Sequence, residues 1–138
     1  MKIFLTIFLL SLSTLAIHFQ ITNNRGYFKN GYSLSDTPSK IDKTYLLNHI
    51  SNGEVLKFTV LTEKTFHSME SDFLQIVEAL KIANKRKIAN CSESVTIKVQ
   101  GKEKWFCSSL LTTTDSKKLE RWLDRARFYS GLKNNLHR

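Results

Sequence analysis

Proline and cysteine are scarce in this 138-residue chain, which holds only Pro38, Cys91 and Cys107. The two cysteines are far from a Cys-x-x-Cys spacing, which excludes a thioredoxin-like redox motif. No histidine spacing completes a four-ligand zinc site around them. No cysteine closely follows the apolar N-terminal run, so a lipoprotein attachment point is excluded. There is no internal repeat and no low-complexity block, so a solenoid or array is excluded as well. No specific catalytic or cofactor motif occurs, and no cofactor and no metal is expected. Charge is missing from a long stretch near the start: after Lys2 the next charged residue is Arg25.

That uncharged stretch is the clearest feature present. "MKIFLTIFLLSLSTLAIHF" begins with Lys2 and runs apolar to hydroxyl from Ile3 to Ala16. Thr14 and Ala16 fit the −3 and −1 positions of a signal-peptidase site. A cleaved secretory signal is the favoured reading. An uncleaved anchor is the other, because Ile3 to Phe19 reaches the lower limit of a ~17–25-residue span. A buried core helix fits less well, since it would carry a polar face. Residues 1–19 are therefore expected to be a signal peptide or a signal anchor. Both readings place the remainder outside the cytoplasm, as a periplasmic, secreted or outward-facing anchored protein. An uncleaved segment would associate with the membrane through residues 3–19.

Residues 20–38, rich in Asn, Gly and Ser and ending on Pro38, read as a linker. Residues 39–132 read as one α+β domain and 133–138 as a basic tail. Within the domain, Ile41, Tyr45, Leu46 and Ile50 recur at helical spacing after Ser39, with Gly53 as a stop, and predict a helix over 40–51. "EVLKFTVLT" predicts a strand with Leu56, Phe58 and Val60 on an apolar face. Phe73, Ile76, Val77, Leu80 and Ala83 predict a long helix over 68–90. Leu119, Trp122, Leu123 and Ala126 predict a last helix, capped at Thr114 or Asp115 and ended by Gly131. The order helix, strand, helix, strand, strand, helix predicts a three-stranded sheet, one strand plus a β-hairpin, packed by two to three helices.

The hairpin lies between the cysteines, in "NCSESVTIKVQGKEKWFC". A three-residue loop at Gln100–Lys102 or Gly101–Glu103 would put Val95, Ile97, Val99, Trp105 and Cys107 on one face, with Lys98, Lys104 and Phe106 on the other. Cys107 then points inward, with Val95 or Ile97 across from it. Cys91 sits at the corner after the long helix, so a bond to Cys107 needs Ser92–Ser94 to fold back. In an exported chain two cysteines favour that bridge.

Net charge is +9, from 21 basic and 12 acidic side chains. Residues 17–84 carry seven of each sign, whereas 85–138 carry 13 basic and 5 acidic. Lys117, Arg121 and Arg125 repeat at i, i+4, i+8, with Lys118 beside them and Lys133 in the tail. They form a candidate basic surface opposite the buried stripe of the last helix. Its expected partners are an anionic protein or an anionic envelope component such as a lipid head group or polysaccharide. Nucleic acid is less favoured, because aromatic side chains are not interleaved on that face.

His67 and Glu70 stand three apart, which reads as a polar cluster at a helix start rather than half of a metal site. The expectation is a non-enzymatic binding or accessory protein of the cell envelope. The alternative is a secreted hydrolase, such as a nuclease, that uses His49 or His67 as acid or base.

Overall fold

The structure is a computed structural model that describes residues 16–25, 28–37, 43–85 and 91–131. Its elements in chain order are β1 (Ala16–Arg25), β2 (Phe28–Asp36), β3 (Tyr45–Ser51), β4 (Glu54–Leu61), α1 (Glu63–Asn84), β5 (Ser94–Val99), β6 (Lys102–Cys107), a 3-10 turn (Ser108–Leu110) and α2 (Thr113–Tyr129). The six strands form one sheet in the order β4-β3-β2-β1-β5-β6. Every neighbouring pair is antiparallel. The class is α+β, but the expected three-stranded sheet is wrong: it has six strands, and two helices lie on one face.

Three segments account for the difference. The stretch over 20–38 is no linker; it supplies most of β1 and β2, the two central strands. Its polar residues alternate with Ile21, Tyr32 and Leu34, which are buried in the core. The predicted helix over 40–51 is instead strand β3 from Tyr45 onward. Tyr45 and Leu47 face the helices, as strand alternation requires. Asn52 and Gly53, both left-handed at φ 51° and 85°, turn β3 directly into β4. A two-residue turn with both residues left-handed matches the twist of antiparallel strands, so Asn-Gly here is a hairpin signal, not a helix stop.

The second hairpin turns at Gln100 and Gly101, at φ 50° and 79°. It pairs Val99 with Lys102, Ile97 with Lys104, Val95 with Phe106 and Ser94 with Cys107. The expected register, built on a three-residue loop, is therefore off by one. Phe106, 6% exposed, faces the core, and Trp105, 50% exposed, faces away. Cys107 is buried as expected, but Ser94 lies across from it.

Both helices follow their apolar stripes. α1 starts at Glu63, ahead of the expected Ser68, because Thr62 caps it: its Oγ1 accepts from the Thr65 amide at 3.2 Å. Phe66 and Met69 thereby join the buried Phe73, Ile76, Val77 and Leu80. The helix ends at Asn84 with Lys85 as its C-cap, short of the expected Asn90. α2 is capped by Thr112, whose Oγ1 accepts from the Asp115 amide at 3.2 Å, and buries Leu119, Trp122, Leu123 and Ala126. The helices meet at Phe73 and Trp122, whose ring centroids are 5.3 Å apart. The Trp122 indole N–H donates to the Met69 carbonyl at 2.8 Å.

Three links fasten the helices to the sheet. Phe66 of α1 packs on Tyr45 of β3 with centroids 4.7 Å apart. The Asn84 side chain, itself bonded to the Leu80 carbonyl, accepts from the Cys107 amide at 3.0 Å. Lys57 of β4 donates to the Ser130 carbonyl at 2.7 Å, so a cation caps the negative end of α2.

Cys91 and Cys107 are disulfide-bonded, with Cα atoms 5.6 Å apart. The chain bends at Ser92 and Glu93, and the Ser108 amide donates to the Glu93 carbonyl at 2.9 Å. The predicted fold-back is present, and the bridge ties the corner after α1 to the end of β6. A disulfide is compatible with an extracellular location.

The other face of the sheet is polar at its centre. Asn48 donates to the hydroxyls of Ser33 and Ser35 at 3.1 and 3.0 Å. Gly31 of β2 approaches the Ile21 backbone so closely that a Cβ there would overlap the Ile21 carbonyl oxygen. The apolar row expected on "EVLKFTVLT" is real, but Leu56, Phe58 and Val60, with Val55, are more than half exposed along the edge strand β4.

Of the expected signal or anchor segment, residues 1–15 lie outside the described residues, and Ala16–Phe19 already belong to β1. No described helix is long and apolar enough to cross a membrane. The basic tail 133–138 also lies outside the described residues.

Candidate anion-binding surface

The outer face of α2 follows from its inner one. With Leu119, Trp122, Leu123 and Ala126 buried, helical geometry turns Lys117, Lys118, Arg121 and Arg125 outward or toward α1. Lys118, Arg121 and Arg125 line a crevice of about 240 Å³ between the two helices, with Asp72 and Gln75 on the α1 side. Three members of the sequence-predicted group, Lys118, Arg121 and Arg125, thus share one crevice, and Lys117 is not among its lining residues. Lys133 lies outside the described residues.

The members of this group differ in how far they are neutralised. Arg125 donates to Asp72 at 2.8 Å and to the Ser68 hydroxyl at 3.3 Å, so it helps hold α2 against α1. Lys118 stands 3.9 Å from Asp115. Lys117 and Arg121 have no ion pair among the described residues. Two cations of the stripe are therefore free for an external anion, and two are shared with the fold.

A wider groove of about 910 Å³ runs between α1 and the start of α2, with Leu74, Ile82 and Leu110 among its walls. Glu78, Asp115 and Lys118 also line it, so its charge is mixed and does not select an anion.

The structure does not bring the two histidines together. His67, on α1, lies between Glu63 at 3.8 Å and Glu70 at 3.6 Å, with its ring against Tyr45. This is the polar cluster expected at a helix start. His49 lies four residues from Tyr45 along β3, roughly 13 Å away at strand spacing. Its ring contacts Tyr32, with centroids 5.2 Å apart, and Lys57 pairs with it across the ladder.

Burial, and then the Lys57 ammonium, push the His49 imidazole below its ordinary range. Burial likewise raises the Tyr32 phenol, opposed by a hydrogen bond with Ser130 and by the Arg127 charge. The His49 shift has a stability consequence. As pH falls through about 6.5, the unfolded chain takes up the proton before the folded one does. The stabilisation is complete above that pH and is lost as pH falls through the lower folded value. In urea unfolding, wild type is expected to lose more stability than His49→Gln between about pH 7.5 and pH 5.5. Equal losses would show that His49 carries no such penalty.

Two side-chain orientations were not legible in the chain. Lys102 and Lys104 point to the helix side of the sheet only because the turn sits at Gln100-Gly101. The left-handed turn residues were the available signal.

No family model matches the chain, and no curated protein or solved structure matches it.

Proposed function

We propose that this protein is an exported binding domain that contacts an anionic partner through the outer face of α2. The observation that carries the reading is the gathering of Lys118, Arg121 and Arg125 in one crevice, with Arg121 and the neighbouring Lys117 unpaired among the described residues. The partner is an acidic protein surface or an anionic envelope component such as a lipid head group or polysaccharide.

Export is supported by the Cys91–Cys107 bridge, since disulfides persist in oxidising compartments. Mass spectrometry of the protein from its own host tests this part. An intact Met1 in a cytosolic fraction would refute it.

The surface is tested with Lys117→Ala/Arg121→Ala, which spares the Arg125–Asp72 contact between the helices. Each basic residue near an anionic membrane is worth about 1 kcal/mol. The double variant should therefore bind phosphatidylglycerol-containing vesicles about 30-fold more weakly at low salt, with an unchanged melting temperature. Unchanged vesicle binding, together with unchanged binding to an acidic polysaccharide, would remove α2 as the contact surface.

A further inference from the structure

We infer that the protein self-associates through its edge strand β4, which pairs antiparallel with β4 of a second copy about a two-fold axis at Thr59 and joins two six-stranded sheets into one. β4 is the outermost strand beside β3, so one side of its backbone has no ladder among the described residues. Its apolar side chains are uncovered: Val55, Leu56, Phe58 and Val60 are 56%, 62%, 63% and 62% exposed. Phe58 and Val60 alternate with Lys57 and Thr59, so they stand together on the face away from the helices.

The two edges of the sheet are defended differently. A sheet edge is ordinarily kept from pairing by charged side chains, lysine above all. β6 follows that rule, with Lys102, Glu103 and Lys104 among its six residues. β4 does not. Its one lysine, Lys57, turns to the helix side, where it donates to the Ser130 carbonyl at 2.7 Å. Glu54 starts the strand at the turn with β3, away from Phe58 and Val60. Pairing of β4 with β6 would be head-to-tail and open-ended, and would set the apolar row against lysines. Pairing of β4 with itself closes after two copies and leaves a charged β6 edge at each outer end.

Charge and regularity choose the register. An axis at Lys57 would set that lysine directly against its own copy, and like charges there are destabilising. An axis at Phe58 would draw in Leu56, where β4 bulges between Val55, paired with Ile50, and Lys57, paired with His49. A bulge interrupts an even ladder. An axis at Thr59 uses only the regular stretch from Lys57 to Leu61. It sets Phe58 of each copy across from Val60 of the other, an aromatic and β-branched pair that stabilises a sheet. The four exposed side chains present roughly 400 Å² per chain, a patch size that often marks an interaction site. Two copies then cover roughly 800 Å² of side chain plus the paired backbones, at the low end of specific interfaces, so the dimer is reversible. None of these residues belongs to the basic group of α2.

The test is sedimentation equilibrium of the full, oxidised protein from about 1 µM to 1 mM. Reversible association to twice the monomer mass is expected within that range. Phe58→Lys should weaken it at least tenfold, because it buries an unpaired charge against Val60. Phe58→Lys/Val60→Glu puts opposite charges across from each other at both crossings and should recover most of the loss. Both side chains are exposed, so both variants should keep the wild-type melting temperature. Lys117→Ala/Arg121→Ala should associate as wild type does, which separates this edge from the α2 surface. A monomer at every concentration would overturn the inference. So would growth beyond the dimer, or undiminished association of Phe58→Lys. Failure of the double variant to recover would overturn the axis at Thr59.

Discussion

Trp122→Ala is expected to lower the unfolding free energy by about 3–5 kcal/mol, measured as a shift of the urea midpoint at constant m-value. Trp122 is among the largest fully buried side chains and packs edge-on against Phe73. Alanine would leave a cavity where both helices meet, and the surrounding side chains can close it only in part. It would also delete the hydrogen bond from the indole to the Met69 carbonyl, which ties α2 to the backbone of α1. The matched control is Trp105→Ala. Trp105 is half exposed on the opposite face of the sheet, so its loss should cost less than about 1 kcal/mol. A large cost at Trp105 with a small one at Trp122 would contradict both the hairpin register and the helix packing.

Removing the disulfide should be the next largest effect. Cys91→Ala/Cys107→Ala opens a loop with a sequence separation of 16, for which the chain-entropy model gives about 3 kcal/mol. The cost is felt at a junction: the bridge holds the corner after α1 against the end of β6, and Asn84 bonds the Cys107 amide beside it. Against a typical domain stability of about 5–15 kcal/mol, the reduced protein should melt several degrees lower but still fold. Thermal melts with and without reductant check this, with alkylation and intact mass to count thiols. Two thiols that label without reduction would refute the bridge. Identical melts of oxidised and fully reduced protein would refute its contribution to stability.

The two helices were legible from the chain because each carries its evidence locally. Phe73, Ile76, Val77 and Leu80 on α1, and Leu119, Trp122, Leu123 and Ala126 on α2, repeat at the helical period. Threonine caps set their starts, Thr62 ahead of the expected Ser68 and Thr112 just before the expected Thr114 or Asp115. The cysteine pair was also legible. With two cysteines the connectivity is unique, and the bend at Ser92 and Glu93 is the only geometric condition.

Strands β1 and β2 were hidden by their composition. Ser33 and Ser35 are buried on the polar side of the sheet, where Asn48 bonds both hydroxyls. Hydroxyl and amide side chains at alternate positions look like a loop until a neighbouring strand satisfies them. β3 was ambiguous for another reason. Tyr45, Leu46 and Ile50 fit a helix as well as a strand, and Asn52-Gly53 was the deciding signal.

The chain by itself determined its two helices, its disulfide partners, the excess of positive charge in its second half and the alignment of Lys117, Arg121 and Arg125 along one helix. These are properties of spacing and count. The tertiary structure decided which of those cations remain free, because Asp72 on α1 meets Arg125 from a distant part of the chain. It also decided that Phe106 rather than Trp105 enters the core, which puts Lys102 and Lys104 on the helix side of the sheet. Strand pairing acts between residues far apart in sequence, and a one-residue change of register reverses every side chain.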